Sequence, residues 1–189
     1  NNGCDLDDLY IPSILFNIND GTSYGGYISN SSGNYNLYVQ EGTLNIIPIF
    51  ENPSFFNISP NNFTVSFPAD TNPFTQNLCI TPNGIHNDLE VTILPINAAR
   101  PGFEAQYKIL YNNKGNTQLS GIINFAFDDE KIDFVAASVN QDDQSMGNLT
   151  WNFTDLIPFE TREILLTLHI NSPTEMPAVN IGDLLNFNA

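Results

Sequence analysis

The stretch Phe103-Glu104-Ala105-Gln106-Tyr107-Lys108-Ile109-Leu110-Tyr111-Asn112-Asn113-Lys114-Gly115-Asn116 decides the fold class. Phe103, Ala105, Tyr107, Ile109 and Tyr111 recur with a period of two, the spacing that puts every apolar side chain on one face of a β-strand. The turn formers Asn112 to Asn116 then close the strand.

The same style extends in both directions. Downstream, Ile122 to Phe127, Ile132 to Val139, Leu149 to Phe153 and Ile164 to Ile170 read as strands, with a corner at Leu156-Ile157-Pro158-Phe159-Glu160. Upstream, Leu89, Val91 and Ile93 alternate, as does Phe63-Thr64-Val65-Ser66-Phe67 before Pro68. Tyr35 to Val39 and Thr43 to Ile49 are expected to pair as a hairpin about Glu41-Gly42. Ile11 to Ile18 reads as an earlier strand, an edge or a strand start because of Pro12, and Gln76 to Ile80 as a further short one. No window of about 12 residues carries a capped 3.6-residue apolar stripe. The expectation is all-β: two consecutive β-sandwich domains, residues 1–84 and 85–189, divided at the polar, turn-rich run Thr81 to Asp88.

Charge sharpens this. The 189 residues hold 21 acids and 5 bases, a formal net charge of -16. All five bases, Arg100, Lys108, Lys114, Lys131 and Arg162, lie in the second half, so residues 1–99 hold nine acids and no Lys or Arg. Such a stretch cannot neutralise a phosphate backbone, which excludes nucleic acid as a partner and argues against anionic membrane surfaces. With 41% hydrophobic and 12% aromatic residues a packed core is expected despite the acidity. No apolar run reaches the roughly 18 residues that span a bilayer. The opening Asn1-Asn2-Gly3, with no Met or signal-like segment, reads as an internal or processed piece of a longer polypeptide.

Cys4 and Cys79 are the only cysteines. They are read either as one bridge closing a loop of about 75 residues, on the order of 4 kcal/mol by loop entropy, or as two unrelated small thiols. Asn sequons at Asn30, Asn57, Asn62, Asn148 and Asn152 are expected by chance in a chain with 28 Asn residues.

Catalytic constellations are missing from the pattern. His86 lies in the inter-domain run and His169 alternates with Leu166, Leu168 and Ile170, so both are expected at the surface. Zinc lacks a His/Cys cluster, and no spacing singles out a carboxylate pair for glycoside hydrolysis. Calcium suits the acid-rich turns: Asp5, Asp7 and Asp8 beside Gly3 are candidate ligands, against the plain reading of solvated turns. Asp128-Asp129-Glu130 with Asp133, and Asp142-Asp143, are read the same two ways. A buried-lysine isopeptide cross-link is excluded in the first domain, which has no lysine. It is excluded in the second because Lys108 alternates to the solvent side. For carbohydrate, Phe55 and Phe56 are candidate stacking platforms near loops, with Tyr24 and Tyr27; Trp151 fits the core better.

Two stretches resemble known modules. Asn30-Ser31-Ser32-Gly33-Asn34-Tyr35-Asn36-Leu37-Tyr38-Val39-Gln40-Glu41-Gly42-Thr43 is similar to the Asp/Asn-x-x-Gly-x-Tyr core of prealbumin-like modules, such as carboxypeptidase regulatory-like domains and adhesin B-type repeats. Tyr107 to Asn116, Leu149 to Phe153 and Leu156 to Arg162 resemble the immunoglobulin-like conserved repeat of long bacterial surface proteins. Together the pair resembles modules of large Bacteroidetes proteins exported by the type IX secretion system. The resemblance implies a non-catalytic spacer, stalk or adhesin repeat, extracellular or at the cell surface. Its edges would be open to strand addition from neighbouring domains or copies. The alternative reading is a polysaccharide- or protein-binding module attached to a secreted enzyme.

Overall fold

The computed structural model describes residues 10–189, and every described element of regular structure is a strand except one 3-10 turn. No described helix is long and apolar enough to cross a membrane. The chain divides into two compact units, Asn1–His86 and Asn87–Ala189.

The first unit is built on a four-stranded antiparallel sheet in the order β2-β1-β3-β5. Its strands are β1 (Leu15–Asn19), β2 (Tyr24–Ile28), β3 (Gly42–Ile49) and β5 (Phe63–Phe67). A two-stranded ribbon pairs β4 (Phe56–Ser59), which follows the turn Pro53–Phe55, with β6 (Cys79–Pro82). Phe16, Leu44, Ile46, Phe50, Phe56 and Val65 are buried. β1 is a central strand, begun three residues after Pro12, so that proline interrupts no ladder.

The expected hairpin about Glu41-Gly42 does not form. β3 is paired on both sides, by β1 and by β5, so no edge is left for residues 35–39. That segment crosses without regular structure. Tyr35 packs its ring on Phe16 at 4.4 Å and donates its hydroxyl to the Gln76 carbonyl. The preceding turn is as the sequence dictates: Gly33 has φ +72°, and Asn30 Oδ1 accepts from the Ser32 and Asn34 amides.

The second unit has two four-stranded antiparallel sheets, β10-β13-β8-β7 and β11-β12-β9-β14. Their strands are β7 (Leu89–Pro95), β8 (Glu104–Asn113), β9 (Leu119–Phe127), β10 (Ile132–Ala137), β11 (Asp143–Ser145), β12 (Asn148–Leu156), β13 (Thr161–Ile170) and β14 (Phe187–Asn188). Alternation puts Ala105, Tyr107, Ile109 and Tyr111 of β8 and Ile164 to Ile170 of β13 in one core with Ile123, Phe125, Leu149 and Trp151 of the other sheet. Tyr107 meets Phe187 at 4.8 Å and Tyr111 meets Phe153 at 5.5 Å across the sheets. This unit is a β-sandwich. His169 and Lys108 lie on the outer faces of β13 and β8, half-buried.

Candidate functional site

Two arrangements stand out, a cavity in the first unit and a polar clamp in the second. The cavity, about 860 Å³, is lined by the sheet residues Leu44, Ile46, Phe63, Val65 and Phe67 and by the irregular segments 35–41 and 68–76. Its wall is mostly apolar, with Tyr35, Phe67 and Phe74 supplying rings; Phe63 and Phe74 stack at 6.3 Å. Glu41 and Asp70 are the charged residues in the lining, and Asp70 Oδ2 already accepts from the Ser66 amide (2.6 Å). Burial raises the Tyr35 hydroxyl above its ordinary value, so it stays a neutral donor. A wall without a cation repels anions and suits an uncharged ligand that can stack on rings. The size falls within the usual range for small-molecule sites.

The clamp centres on Asn113, fully buried at the end of β8. Its Nδ2 donates to the carbonyls of Thr117 (2.7 Å) and Leu156 (2.9 Å), and its Oδ1 accepts from the Gly115 amide (3.0 Å). Its backbone donates to Glu160 O and accepts from Phe159 N–H. One side chain therefore ties the β8–β9 turn to the β12–β13 corner. That corner is strained, with Asp155 at φ +56° and Phe159 at φ +65°. Glu160 and Arg162 hold it: Arg162 Nε donates to Glu160 Oε1 (2.6 Å), Ile157 N–H donates to Glu160 Oε2 (2.9 Å), and the Arg162 guanidinium also reaches the carbonyls of Thr154 and Asp155. The Arg162 hydrogen bond is the main reason the Glu160 carboxyl sits below its ordinary value, and Arg162 is raised in turn. Tyr111 beside them is raised, first by burial, with Arg162 opposing.

Three further basic residues of this unit are paired as well: Lys108 with Glu163 (2.8 Å), Lys114 with Glu90, and Lys131 with Asp128 (2.9 Å). Lys131 lowers the Asp128 carboxyl, mainly by that hydrogen bond.

The candidate residues from sequence are placed as follows. Cys4, Asp5, Asp7 and Asp8 lie outside the described residues; Cys79 opens β6 opposite Ser59. Phe56 is 7% exposed and packs against Phe50 at 5.6 Å, so its ring serves the core and offers no sugar platform. Phe55 stacks face to face on His86 at 4.1 Å, which covers one of its faces. Tyr24 is exposed. Trp151 is 2% exposed, and its Nε1 donates to Val139 O (3.0 Å). Among the described residues no three His, Cys, Asp or Glu side chains converge as a metal site. Asp128 faces Lys131, and Asp142 accepts from the Asn152 amide.

Sequence reasoning missed the cavity because its wall comes from segments read as a hairpin strand and a loop. The spacing of Phe63, Phe67 and Phe74 about Pro68 and Pro73 was the available signal. No protein-family profile, curated protein or solved structure matches the chain.

Proposed function

We propose that the chain is a non-catalytic spacer, stalk or adhesin segment of a large extracellular bacterial surface protein of the type IX-secreted kind. In this reading the first module is prealbumin-like and the second immunoglobulin-like. The supporting observation is where the second unit directs its polar side chains. Asn113, Glu160 and Arg162 tie the unit's own loops together, as a module under tension requires. Pulling single molecules by their ends tests it. Two separate unfolding events are expected, the larger lengthening the chain by roughly 300 Å for about 100 residues. Featureless extension at low force would remove the reading.

Two ties would add stiffness to the first module: a Cys4–Cys79 bridge and calcium on Asp5, Asp7 and Asp8. Two titratable thiols in the unfolded, unreduced protein would eliminate the bridge. A melting temperature that is the same in chelator and in millimolar calcium would eliminate the ion. Partners in this reading are neighbouring domains or copies, joined by strand addition.

The cavity favours a second reading, a module that holds polysaccharide or another uncharged ligand. A glycan array on the intact chain and on Phe74→Ala separates the two. Binding that is lost in the variant supports the second reading, and an array with no signal counts against it.

A further inference from the structure

The cavity of the first unit changes character from floor to rim. Its floor is one face of the sheet: Leu44 sits opposite Val65 and Ile46 opposite Phe63 in the β3–β5 ladder, so these side chains point the same way. Leu44, Ile46 and Val65 are buried there, branched aliphatic groups with no polar atom. Three polar side chains of the lining already have partners within the unit. The Tyr35 hydroxyl donates to Gln76 O, Gln76 Nε2 donates to Asn77 O (2.7 Å), and Asp70 Oδ2 accepts from the Ser66 amide. A sugar ring laid on this floor would leave hydroxyls unmatched, each weakening binding roughly five-fold or more. An alkyl chain has no such groups to satisfy.

The rim is polar. Asn36, Gln40 and Asn72 line the cavity and are exposed. A carboxamide both donates and accepts, which suits the hydroxyls of an uncharged head group. Glu41 and Asp70 are exposed beside them, and residues 1–99 hold no Lys or Arg to offset their charge. An anionic head is repelled at such a rim.

We infer that the cavity takes an uncharged amphiphile, with a single alkyl chain on the aliphatic floor and a hydroxyl-bearing head among the carboxamides of the rim. Binding energy comes from the chain: each methylene removed from water tightens binding roughly three- to four-fold. The rim selects the head, accepting hydroxyls and rejecting carboxylates. The inference rests on the second reading above, that the cavity holds a ligand, and names the class of ligand as a glycoside-like amphiphile in place of a bare polysaccharide.

The test is NMR on the 189-residue chain with labelled Leu, Ile and Val methyl groups, at neutral pH. The probes are octyl glucoside, hexyl glucoside, octanoate and glucose, each below its micellar concentration. Octyl glucoside is expected to shift the methyl signals of Leu44, Ile46 and Val65 saturably. Hexyl glucoside, two methylenes shorter, is expected to bind roughly ten-fold more weakly. Octanoate keeps a similar chain with a charged head and is expected to bind more weakly than octyl glucoside by a similar factor, roughly ten-fold. Glucose is expected to cause no shift. Glu41→Lys changes an exposed side chain and is expected to narrow the gap between octanoate and octyl glucoside. Binding that ignores chain length, octanoate as tight as octyl glucoside, an unchanged gap in Glu41→Lys, or shifts spread evenly over both units overturns the inference. Shifts with glucose, or a glycan-array signal lost in Phe74→Ala without chain-length dependence, leave a sugar site and remove the alkyl chain alone. Silence from every probe and from the array removes both.

Discussion

At Asn113 a single side chain decides how two loops meet. Truncation removes the side-chain donor to the carbonyls of Thr117 and Leu156 and one of the two acceptors of the Gly115 amide, which also donates to Asp88 O (3.2 Å). Asn113→Ala is expected to destabilise the second unit by about 3 kcal/mol, because buried polar groups left unsatisfied cost about 1–3 kcal/mol each and partly relax. Urea unfolding followed through Trp151 measures this, and a shift below about 1 kcal/mol would show that the clamp carries little. Glu160 gives a pH signature. Its carboxyl is lowered in the folded state, so its stabilisation is present above the ordinary value of 4.5 and is lost as pH falls below it. Glu160→Gln is expected to lower stability near neutral pH and to flatten the decline between about pH 5 and about pH 3. Identical acid slopes in variant and parent would contradict this. From sequence, Asn113 is one turn former in the run Asn112 to Asn116. That its side chain turns inward follows from its β8 register, and its bond to Leu156 from tertiary packing that no local pattern encodes.

The long strands β8 and β13 of the second unit were the most legible elements, because each buries one face and period-two burial runs from Ala105 to Tyr111 and from Ile164 to Ile170. The elements that escaped are those without alternation to read. Strand β2 is Tyr-Gly-Gly-Tyr-Ile, β11 has three exposed polar residues, and β14 has two residues. Tyr35 to Val39 shows the opposite error: its alternation is real, but the neighbouring strand's edges were already taken. Burial of Tyr35 on Phe16 satisfies the same apolar pattern without a ladder. Among turns, the β11–β12 hairpin is the least tolerant. Gly147 has φ +66°, and a Cβ there would lie 2.6 Å from Phe127 O. Gly147→Ala is expected to cost about 2–4 kcal/mol and to loosen β11 from β12, visible as faster amide exchange at Asp142.

At the scale of the whole molecule, the two units differ in kind. The second has a contiguous core between two sheets, whereas the first covers its sheet partly with irregular chain and leaves a cavity there. Thermal unfolding is therefore expected to proceed in two steps, the first unit melting first, with Trp151 fluorescence silent until the second. A single coincident transition by calorimetry and fluorescence would refute this. The uneven placement of the five basic residues has a further consequence, for digestion. Trypsin cuts after Lys and Arg but not before proline, and Arg100 precedes Pro101. The first cleavable bond follows Lys108, in the middle of β8, whose side chain is paired with Glu163. The first unit holds no site at all and offers no cut even when unfolded. Tryptic nicking of the intact chain thus reports on the second unit alone, and a cut after Lys108, unlike one in the turns that hold Lys114 and Lys131, marks opening of its sandwich.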